Sequence, residues 1–184
     1  METLQERLTE ISPSTLAVIG EREEGDYLTK VMEYDEEDDY ETTHSAQKVM
    51  DITCREFGIS LRGLIEGSRM LTGITHKPPI AIDRMSGMYF FPVESPLRKS
   101  CSWIAHSHVQ QAEKLERNRS KIIFKNNRTI TLDISYATII NQIYRTAQYR
   151  YLLGNKMEDV LQLSHYVAES GWKRKEPGIK NRHM

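Results

Sequence analysis

The stretch that decides the fold is residues 121–153, KIIFKNNRTITLDISYATIINQIYRTAQYRYLL. Its first part predicts a β-hairpin of strands 121–124 and 129–134, because Asn126-Asn127 lies between them and asparagine tolerates the left-handed backbone of a tight turn. Its second part predicts a long helix, because apolar residues recur at helical spacing, and we expect Gly154 to end it. The predicted apolar stripe consists of Tyr136, Ile139, Ile140, Ile143, Tyr144, Ala147 and Tyr151.

Shorter elements precede this segment. Residues 45–57 fit a helix closed by Gly58, and residues 60–66 add a turn or a short helix. The other predicted strands are 15–19, 27–34, 80–83, 88–92 and 101–109. Together these elements predict an α+β fold, in which antiparallel β-hairpins pack against one long amphipathic helix, with a shorter helix near residues 45-57.

Charge is divided unequally along the chain. Residues 1–41 carry 14 acidic and 3 basic side chains, whereas residues 42–184 carry 12 acidic and 22 basic ones. The net positive charge of residues 42–184 attracts polyanions, of which nucleic acid is the commonest in a cell. The five consecutive carboxylates at 35–39 predict a loop, because they repel one another. The acidic segment is either a solvated flank or an internal competitor for the basic surface.

These features predict three parts of the chain. Residues 1–41 form an acidic N-terminal segment that contains a hairpin. Residues 42–154 form a basic core, whose charge favours an anionic partner such as DNA. Residues 155–184 form a C-terminal region with a basic tail, because the last stretch holds five basic side chains together with a proline and a glycine.

Several classes of protein are disfavoured by the composition. The N-terminus lacks the apolar region of a signal peptide, and no apolar stretch approaches the roughly 20 residues that a bilayer requires. Cys54 and Cys101 have no CxxC partner, which fits a reducing compartment. The sequence lacks the G-x-S-x-G nucleophile-elbow motif of hydrolases, phosphate-binding glycine loops and the H-E-x-x-H motif of zinc proteases. We therefore expect a cytoplasmic protein that is not an enzyme, needs no cofactor and has no membrane partner.

The polar side of the long helix supplies the first candidates for a binding site. Asn141, Arg145 and Gln148 fall at i, i+4 and i+7, so they share one face. These are the side-chain types best equipped to contact phosphates and base edges. The alternative is that they are only the solvated side of an amphipathic helix.

A second basic concentration lies between residues 97 and 128. This stretch contains eight lysines and arginines but only two acidic residues, Glu113 and Glu116. Arginines on exposed loops reach into minor grooves, where A·T tracts concentrate negative potential. The alternative is that these charges only keep the protein soluble. The eight cations are Arg98, Lys99, Lys114, Arg117, Arg119, Lys121, Lys125 and Arg128.

Two histidines invite a metal hypothesis. His106 and His108 lie two residues apart on a predicted strand, so both would project from the same face. Structural zinc sites show paired ligands on both halves of the site, and only one such pair is present here. Packed or hydrogen-bonded histidines are the preferred interpretation, and no metal site is predicted.

Five ordered segments carry a family resemblance. They are THKPPIAID (75–83), YFFP (89–92), CSWIAHSHV (101–109), IIFKNNRTITLDISY (122–136) and NQIYRTAQYR (141–150). In order and spacing they resemble the ComK family of competence transcription factors. The resemblance extends more weakly to residues 45–58, whereas residues 1–41 and the tail beyond Gly154 match nothing that we can place in the family.

The resemblance implies a sequence-specific DNA-binding activator of genes for DNA uptake. It implies homo-oligomers that bind paired A·T-rich boxes of double-stranded DNA, largely from the minor groove, and control by an adaptor that delivers the protein to a Clp protease. Such a protein would be associated with the nucleoid when bound. The predicted DNA-contacting residues, chosen for their local chemistry, are Lys77, Arg98, Lys99, Lys121, Lys125, Arg128, Asn141, Arg145 and Gln148. Two alternatives remain open, a module that binds an acidic protein partner and a metal-dependent domain.

Overall fold

A computed structural model describes residues 11–23 and 25–172 of the chain. Antiparallel sheets and a long C-terminal helix confirm the predicted α+β class. The strands are β1 (Thr15–Glu23), β2 (Asp26–Glu33), β3 (Tyr40–Thr42), β4 (Ile80–Asp83), β5 (Met88–Pro92), β6 (Trp103–Ala105), β7 (Val109–Lys114), β8 (Ser120–Phe124) and β9 (Thr129–Leu132). The helices are α1 (Ala46–Glu56), α2 (Leu61–Thr72) and α3 (Tyr136–Trp172).

The larger sheet has six antiparallel strands in the order β3-β2-β1-β6-β5-β4. The predicted N-terminal hairpin supplies its centre, because β1 pairs with β2 on one side and with β6 on the other. Leu16, Val18 and Val31 of this hairpin are completely buried. The β1–β2 hairpin of the acidic N-terminal segment therefore belongs to the core. This corrects one of the two interpretations of the segment, that all of it is a solvated flank.

Helices α1 and α2 cover one face of this sheet. Each begins at a serine cap, since the hydroxyl of Ser45 accepts from the amide of Lys48 and that of Ser60 from the amide of Gly63. Helix α2 runs further than the predicted short turn and ends where Gly73 adopts a left-handed φ of 72°. The apolar core on this side includes Val49, Met50, Leu61, Ile65, Phe90 and Trp103.

The opposite face of the six-stranded sheet packs against a second sheet and α3, and together they form a second apolar core. The strands β7, β8 and β9 form a separate three-stranded sheet, and Ile122 and Phe124 of β8 are buried together with Phe91, Ile104 and Ile139. The predicted hairpin turn is confirmed, because Asn127 has a left-handed φ of 66° between β8 and β9. Strand β7, beyond its first residue Val109, was not predicted from the sequence.

The buried stripe of α3 differs from the predicted one. Ile139 is buried as expected, but Tyr144 is 69% exposed, and the positions that face the core include Gln142, Thr146 and Tyr149. The reason is that the polar side chains find partners inside: the hydroxyl of Thr146 donates to the carbonyl oxygen of Gln142 at 2.7 Å. The sequence pattern located the helix correctly and its face only in part, because Ile139 and Ile143 face the second core whereas Tyr144 and Tyr151 are exposed.

Two predicted boundaries are also corrected. The strand predicted at 101–109 is interrupted, because β6 ends at Ala105 and residues His106–His108 form a single 3₁₀ turn. The two histidines therefore do not share the face of one strand. Gly154 does not end α3, which continues to Trp172. A glycine inside a helix weakens it but does not stop it unless the backbone turns left-handed.

The chain divides into two compact units, Met1–Arg150 and Tyr151–Met184. In the second unit α3 continues to Trp172. Its large exposed apolar side chains are Tyr151, Val160, Leu161, Leu163, Tyr166 and Val167. The basic tail predicted for this part of the chain extends beyond residue 172 and lies outside the described residues. Within the described residues, we find no helix with the length and apolar content needed to cross a membrane.

Candidate nucleic-acid interface

The six-stranded sheet has two ends of different character. Strand register places residues 93–102, which connect β5 to β6, at one end. It places residues 34–39, which connect β2 to β3, at the other. The first is called here the cationic end, and its defining residues are Lys77, Arg98, Lys99 and Arg145. The second is called the acidic end.

Helix α3 joins distant segments at the cationic end. Gln142 is only 1% exposed, and its side-chain amide donates to the carbonyl oxygens of Lys77 at 3.0 Å and of Pro92 at 2.7 Å. Three residues later, the guanidinium of Arg145 donates to the carbonyl oxygen of His76 at 3.3 Å. A buried amide thus fixes Lys77 and Arg145 beside the start of the β5–β6 connection.

The β5–β6 connection is braced against α1. The amide of Arg98 donates to the carbonyl oxygen of Ser95 at 3.0 Å, which closes a turn. The amide of Gln47, at the start of α1, donates to the carbonyl oxygen of Lys99 at 3.1 Å, and its side chain donates to that of Pro96 at 3.2 Å. The loop therefore presents its side chains from a backbone that is held in place.

The cations of this loop remain available for contacts. Arg98 is 70% exposed and pairs with Glu94 at 2.8 Å, an exposed pair of the kind that contributes about 0.2–1 kcal/mol and is readily exchanged for a phosphate. The amine of Lys99 lies 5.7 Å from the centre of the Tyr27 ring, and the guanidinium of Arg22 lies 5.8 Å from the same ring.

The cationic end is not uniformly positive. Glu21 and Asp26, both exposed, lie near the tip of the β1–β2 hairpin at the same end of the sheet. The amine of Lys77 is turned inward, where it donates to the carbonyl oxygen of Val93 at 2.9 Å. An approaching polyanion would therefore meet the β5–β6 loop and the first turns of α3 rather than the hairpin tip.

At the acidic end, Asp39 forms an ion pair with Arg128, which is one of the predicted DNA-contacting residues. The guanidinium of Arg128 donates to both carboxylate oxygens of Asp39, at 2.8 and 2.7 Å, and to the carbonyl oxygen of Glu33. The side chains of Arg128 and Asp39 are only 16% and 13% exposed. Burial acts to raise the pKa of Asp39, but the hydrogen bonds from Arg128 and from the amide of Glu33 outweigh it and lower that pKa.

Residues 35–39 form the predicted loop between β2 and β3, but the pairing of Asp39 attaches one end of it to the protein. Glu36–Asp38 form one 3₁₀ turn with exposed side chains, while Asp39 turns inward. The tip of the β8–β9 hairpin is also attached, because the side-chain amide of Asn126 donates to the carbonyl oxygen of Tyr34 at 2.6 Å. The acidic end therefore keeps its carboxylates beside that hairpin.

The remaining predicted contacts are spread over other surfaces. The amine of Lys121 pairs with Glu113 across β7 and β8 at 3.0 Å. Lys125 is exposed on the β8–β9 turn, and Asn141 and Gln148 are exposed on α3. The structure thus brings Lys77, Arg98, Lys99 and Arg145 to one end, and it places the three cations of the β8–β9 hairpin elsewhere.

The histidines occupy different environments. The ring of His106 lies 3.1 Å from the guanidinium of Arg150, which stacks 4.4 Å from the centre of the Tyr89 ring. Burial, reinforced by the charge of Arg150, lowers the pKa of His106 to about 4. His108 instead contacts the carbonyl oxygen of Pro13 at 2.7 Å. Within the described ranges, 11–23 and 25–172, no group of three or more histidine, cysteine or acidic residues is arranged to hold a metal ion.

We expect His106 to make stability depend on pH. Its folded-state pKa of about 4 lies below the ordinary 6.5, so the unfolded chain binds more protons between these values and stability falls as pH falls through that window. After a discount for the partial exposure of the ring, the loss should be about 1–2 kcal/mol. Urea unfolding at pH 7 and pH 4.5 measures it. A His106→Gln variant with the same pH dependence as the original protein would contradict the assignment.

Sequence reasoning missed the residues that build the cationic end. Neither Gln142 nor Gln47 was among the predicted site residues, yet each binds a backbone segment more than 45 residues away. The only available signal for Gln142 was its position next to the predicted apolar stripe, where a polar residue that faces inward needs a partner. The contact between Arg150 and the Tyr89 ring could not be predicted from the sequence either, because the two residues lie on different elements, α3 and β5.

Comparison with known proteins identifies the family. A family model described as "ComK protein" matches residues 5–158. The chain belongs to the ComK family. A curated relative from Bacillus subtilis (strain 168), named "Competence transcription factor", is 36% identical over 141 residues, which cover 77% of this chain and 72% of the relative. Comparison with solved structures found no match.

The extent of the ComK match corrects one part of the sequence analysis. The acidic N-terminal segment was taken to lie outside the resemblance, but the match begins at residue 5 and so includes nearly all of it. This agrees with the fold, in which β1 and β2 are central strands. At the other end the match stops at residue 158, close to the predicted limit at Gly154.

Proposed function

We propose that this ComK-family protein is a sequence-specific DNA-binding activator of competence genes, which binds A·T-rich promoter boxes mainly through the minor groove. The observation that carries the proposal is the convergence of Lys77, Arg98, Lys99 and Arg145 on one end of the sheet. Gln142 ties α3 to the backbone at that end, and Gln47 braces its loop. The family membership and the relative's name support the class of function.

The distribution of charge favours one orientation on DNA. The exposed carboxylates of Glu36, Glu37 and Asp38 lie at the acidic end and would be repelled by phosphates. The cationic end would then face the duplex. Asn141 and Gln148, exposed on α3, are the proposed readers of base edges. Lys121, Lys125 and Arg128 stay predictions outside the set on which the proposal rests.

The family resemblance supports two further parts of the proposal. The protein would bind paired boxes as a homo-oligomer in the cytoplasm, associated with the nucleoid. An adaptor would deliver it to a Clp protease. The activity is non-enzymatic, and no cofactor is required.

A competition assay tests the proposed function. A labelled duplex that carries two A·T boxes is bound at low salt and challenged with unlabelled box duplex or with random duplex of equal length. Specific binding predicts that the random duplex competes at least about 1,000-fold less well. Equal competition by the two duplexes would contradict sequence-specific recognition.

A second candidate function is a module that binds an acidic protein partner. The same exposed cations favour it, because an electrostatic field does not distinguish a nucleic acid from an acidic peptide. It predicts no preference between the box duplex and the random duplex, so the same assay separates the two functions.

A further inference from the structure

A single apolar side chain stands among the cations of the β5–β6 loop. Leu97 is 72% exposed and is flanked in sequence by the buried Pro96 on one side and by the exposed Arg98 and Lys99 on the other. Isolated exposed leucines are common and need no explanation by themselves. Leu97 differs from such residues because several hydrogen bonds hold the backbone of its turn in place.

The turn that carries Leu97 is fixed at several points. The amide of Arg98 closes the turn onto the carbonyl oxygen of Ser95 at 3.0 Å, and the amide of Cys101 donates to the carbonyl oxygen of Arg98 at 3.1 Å. Gln47 binds the carbonyl oxygens of residues 96 and 99, on either side of Leu97. Because the backbone of this turn is already ordered, insertion of the Leu97 side chain into a partner costs little additional backbone conformational entropy.

The neighbouring sheet packs closely behind this loop. Gly20 of β1 donates its amide to the hydroxyl of Ser102 at 3.0 Å. A Cβ atom at Gly20 would lie 2.5 Å from the carbonyl oxygen of Ser100, so only glycine allows the strand to approach so near. The loop therefore has a rigid support that resists a force applied at its tip.

We propose that Leu97 is a wedge that inserts between two base pairs from the minor groove of the bound A·T-rich duplex, while Arg98 and Lys99 contact the phosphates on either side. Minor-groove proteins use apolar side chains in this way to unstack a base step and kink the duplex. An A·T-rich site suits a wedge because its TA steps are the easiest to unstack. This inference rests on the proposed DNA-binding function and adds the residue that deforms the DNA.

The test measures unstacking separately from binding. 2-Aminopurine replaces each adenine of the box in turn, and its fluorescence rises when its neighbours unstack. The full-length protein should raise the fluorescence at one step of the box. Leu97→Ala should abolish that rise and weaken binding about 10-fold, whereas Leu97→Met should restore both. The salt dependence of binding should stay unchanged in Leu97→Ala, because the phosphate contacts remain.

Met85→Ser provides the matched control. Met85 is 90% exposed on the turn between β4 and β5, which the register places at the opposite end of the sheet from Leu97. This variant should keep both the fluorescence rise and the affinity. Retention of the rise in Leu97→Ala, or an equal loss in Met85→Ser, would overturn the wedge.

The two proposals fail in different ways. Binding of the original protein to the box duplex without a fluorescence change at any position would overturn the wedge and leave the DNA-binding function intact. Failure of the original protein to bind the box duplex at all would overturn the proposed function and the wedge together.

Discussion

Replacement of Asp39 by alanine should lower the free energy of unfolding by about 3 kcal/mol. The variant leaves the guanidinium of Arg128 only 16% exposed and without the carboxylate that accepts two of its hydrogen bonds. It also removes the acceptor for the amide of Glu33, 2.9 Å away. A buried charge that loses its partner is among the most costly single changes in a small domain. Urea unfolding at pH 7 measures the loss.

Asp38→Ala is the matched control for this prediction. Asp38 is the adjacent carboxylate, and its side chain is exposed on the 3₁₀ turn, so its removal should change stability by less than about 0.5 kcal/mol. The double variant Asp39→Ala/Arg128→Ala should recover part of the loss, since it removes the unpaired charge. Equal effects of Asp38→Ala and Asp39→Ala would show that the pair does not form.

Replacement of Gln142 by leucine should cost about 2–4 kcal/mol and should also weaken DNA binding. The leucine fills a similar volume but leaves the carbonyl oxygens of Lys77 and Pro92 without the donors that now lie 3.0 and 2.7 Å away. A buried acceptor that loses its hydrogen bond costs about 1–3 kcal/mol. DNA binding should weaken because Gln142 positions Lys77 and Arg145 at the cationic end. Thermal unfolding and a gel-shift titration measure the two effects.

Tyr144→Phe is the control on the same helix. Tyr144 is 69% exposed, and the change removes one hydroxyl without leaving a buried group unpaired. It should leave both stability and affinity nearly unchanged. A Gln142→Leu variant as stable as Tyr144→Phe would contradict the role that the structure gives to the buried amide.

The sequence allowed the local elements to be predicted and left the tertiary partners hidden. The β8–β9 hairpin was predictable because the preference of asparagine for the left-handed backbone acts within a few residues, and Asn127 adopts that backbone. The α+β class followed from the spacing of strands and helices. Gly154 failed as a stop signal because the conformation of a glycine depends on its surroundings, which the sequence does not show.

The face of α3 could not be predicted for a related reason. Hydropathy assigns glutamine and threonine to solvent, yet Gln142 and Thr146 are buried because backbone carbonyl groups are there to pair with them. The partners of Gln142 lie 65 and 50 residues away in the chain. Arg128 and Asp39 lie 89 residues apart, so neither charge revealed that the other would neutralise it.

In the candidate interface too, the sequence predicted which residue types could bind but not which partners they have in the fold. Lys77, Arg98, Lys99 and Arg145 were chosen from the sequence for their chemistry, and the structure gathers them at one end of the sheet. The same chemistry also selected Arg128, which the acidic end engages. Residue type identified cations that can contact phosphate, whereas the fold decided which of them are exposed. Arg98 and Lys99 are exposed, but the amine of Lys77 donates to the carbonyl oxygen of Val93.

The most direct test of this account is the salt dependence of binding to an A·T-box duplex. The logarithm of the association constant should fall linearly with the logarithm of salt concentration, and each lost phosphate contact should reduce the slope by about 0.9. The control variant Arg55→Gln/Arg62→Gln removes two exposed arginines that, like Arg98, pair with a carboxylate four residues away on the chain. We predict that Arg98→Gln/Lys99→Gln lowers the slope by about 2 and the control leaves it unchanged. An equal slope in all three proteins would contradict DNA binding through the cationic end.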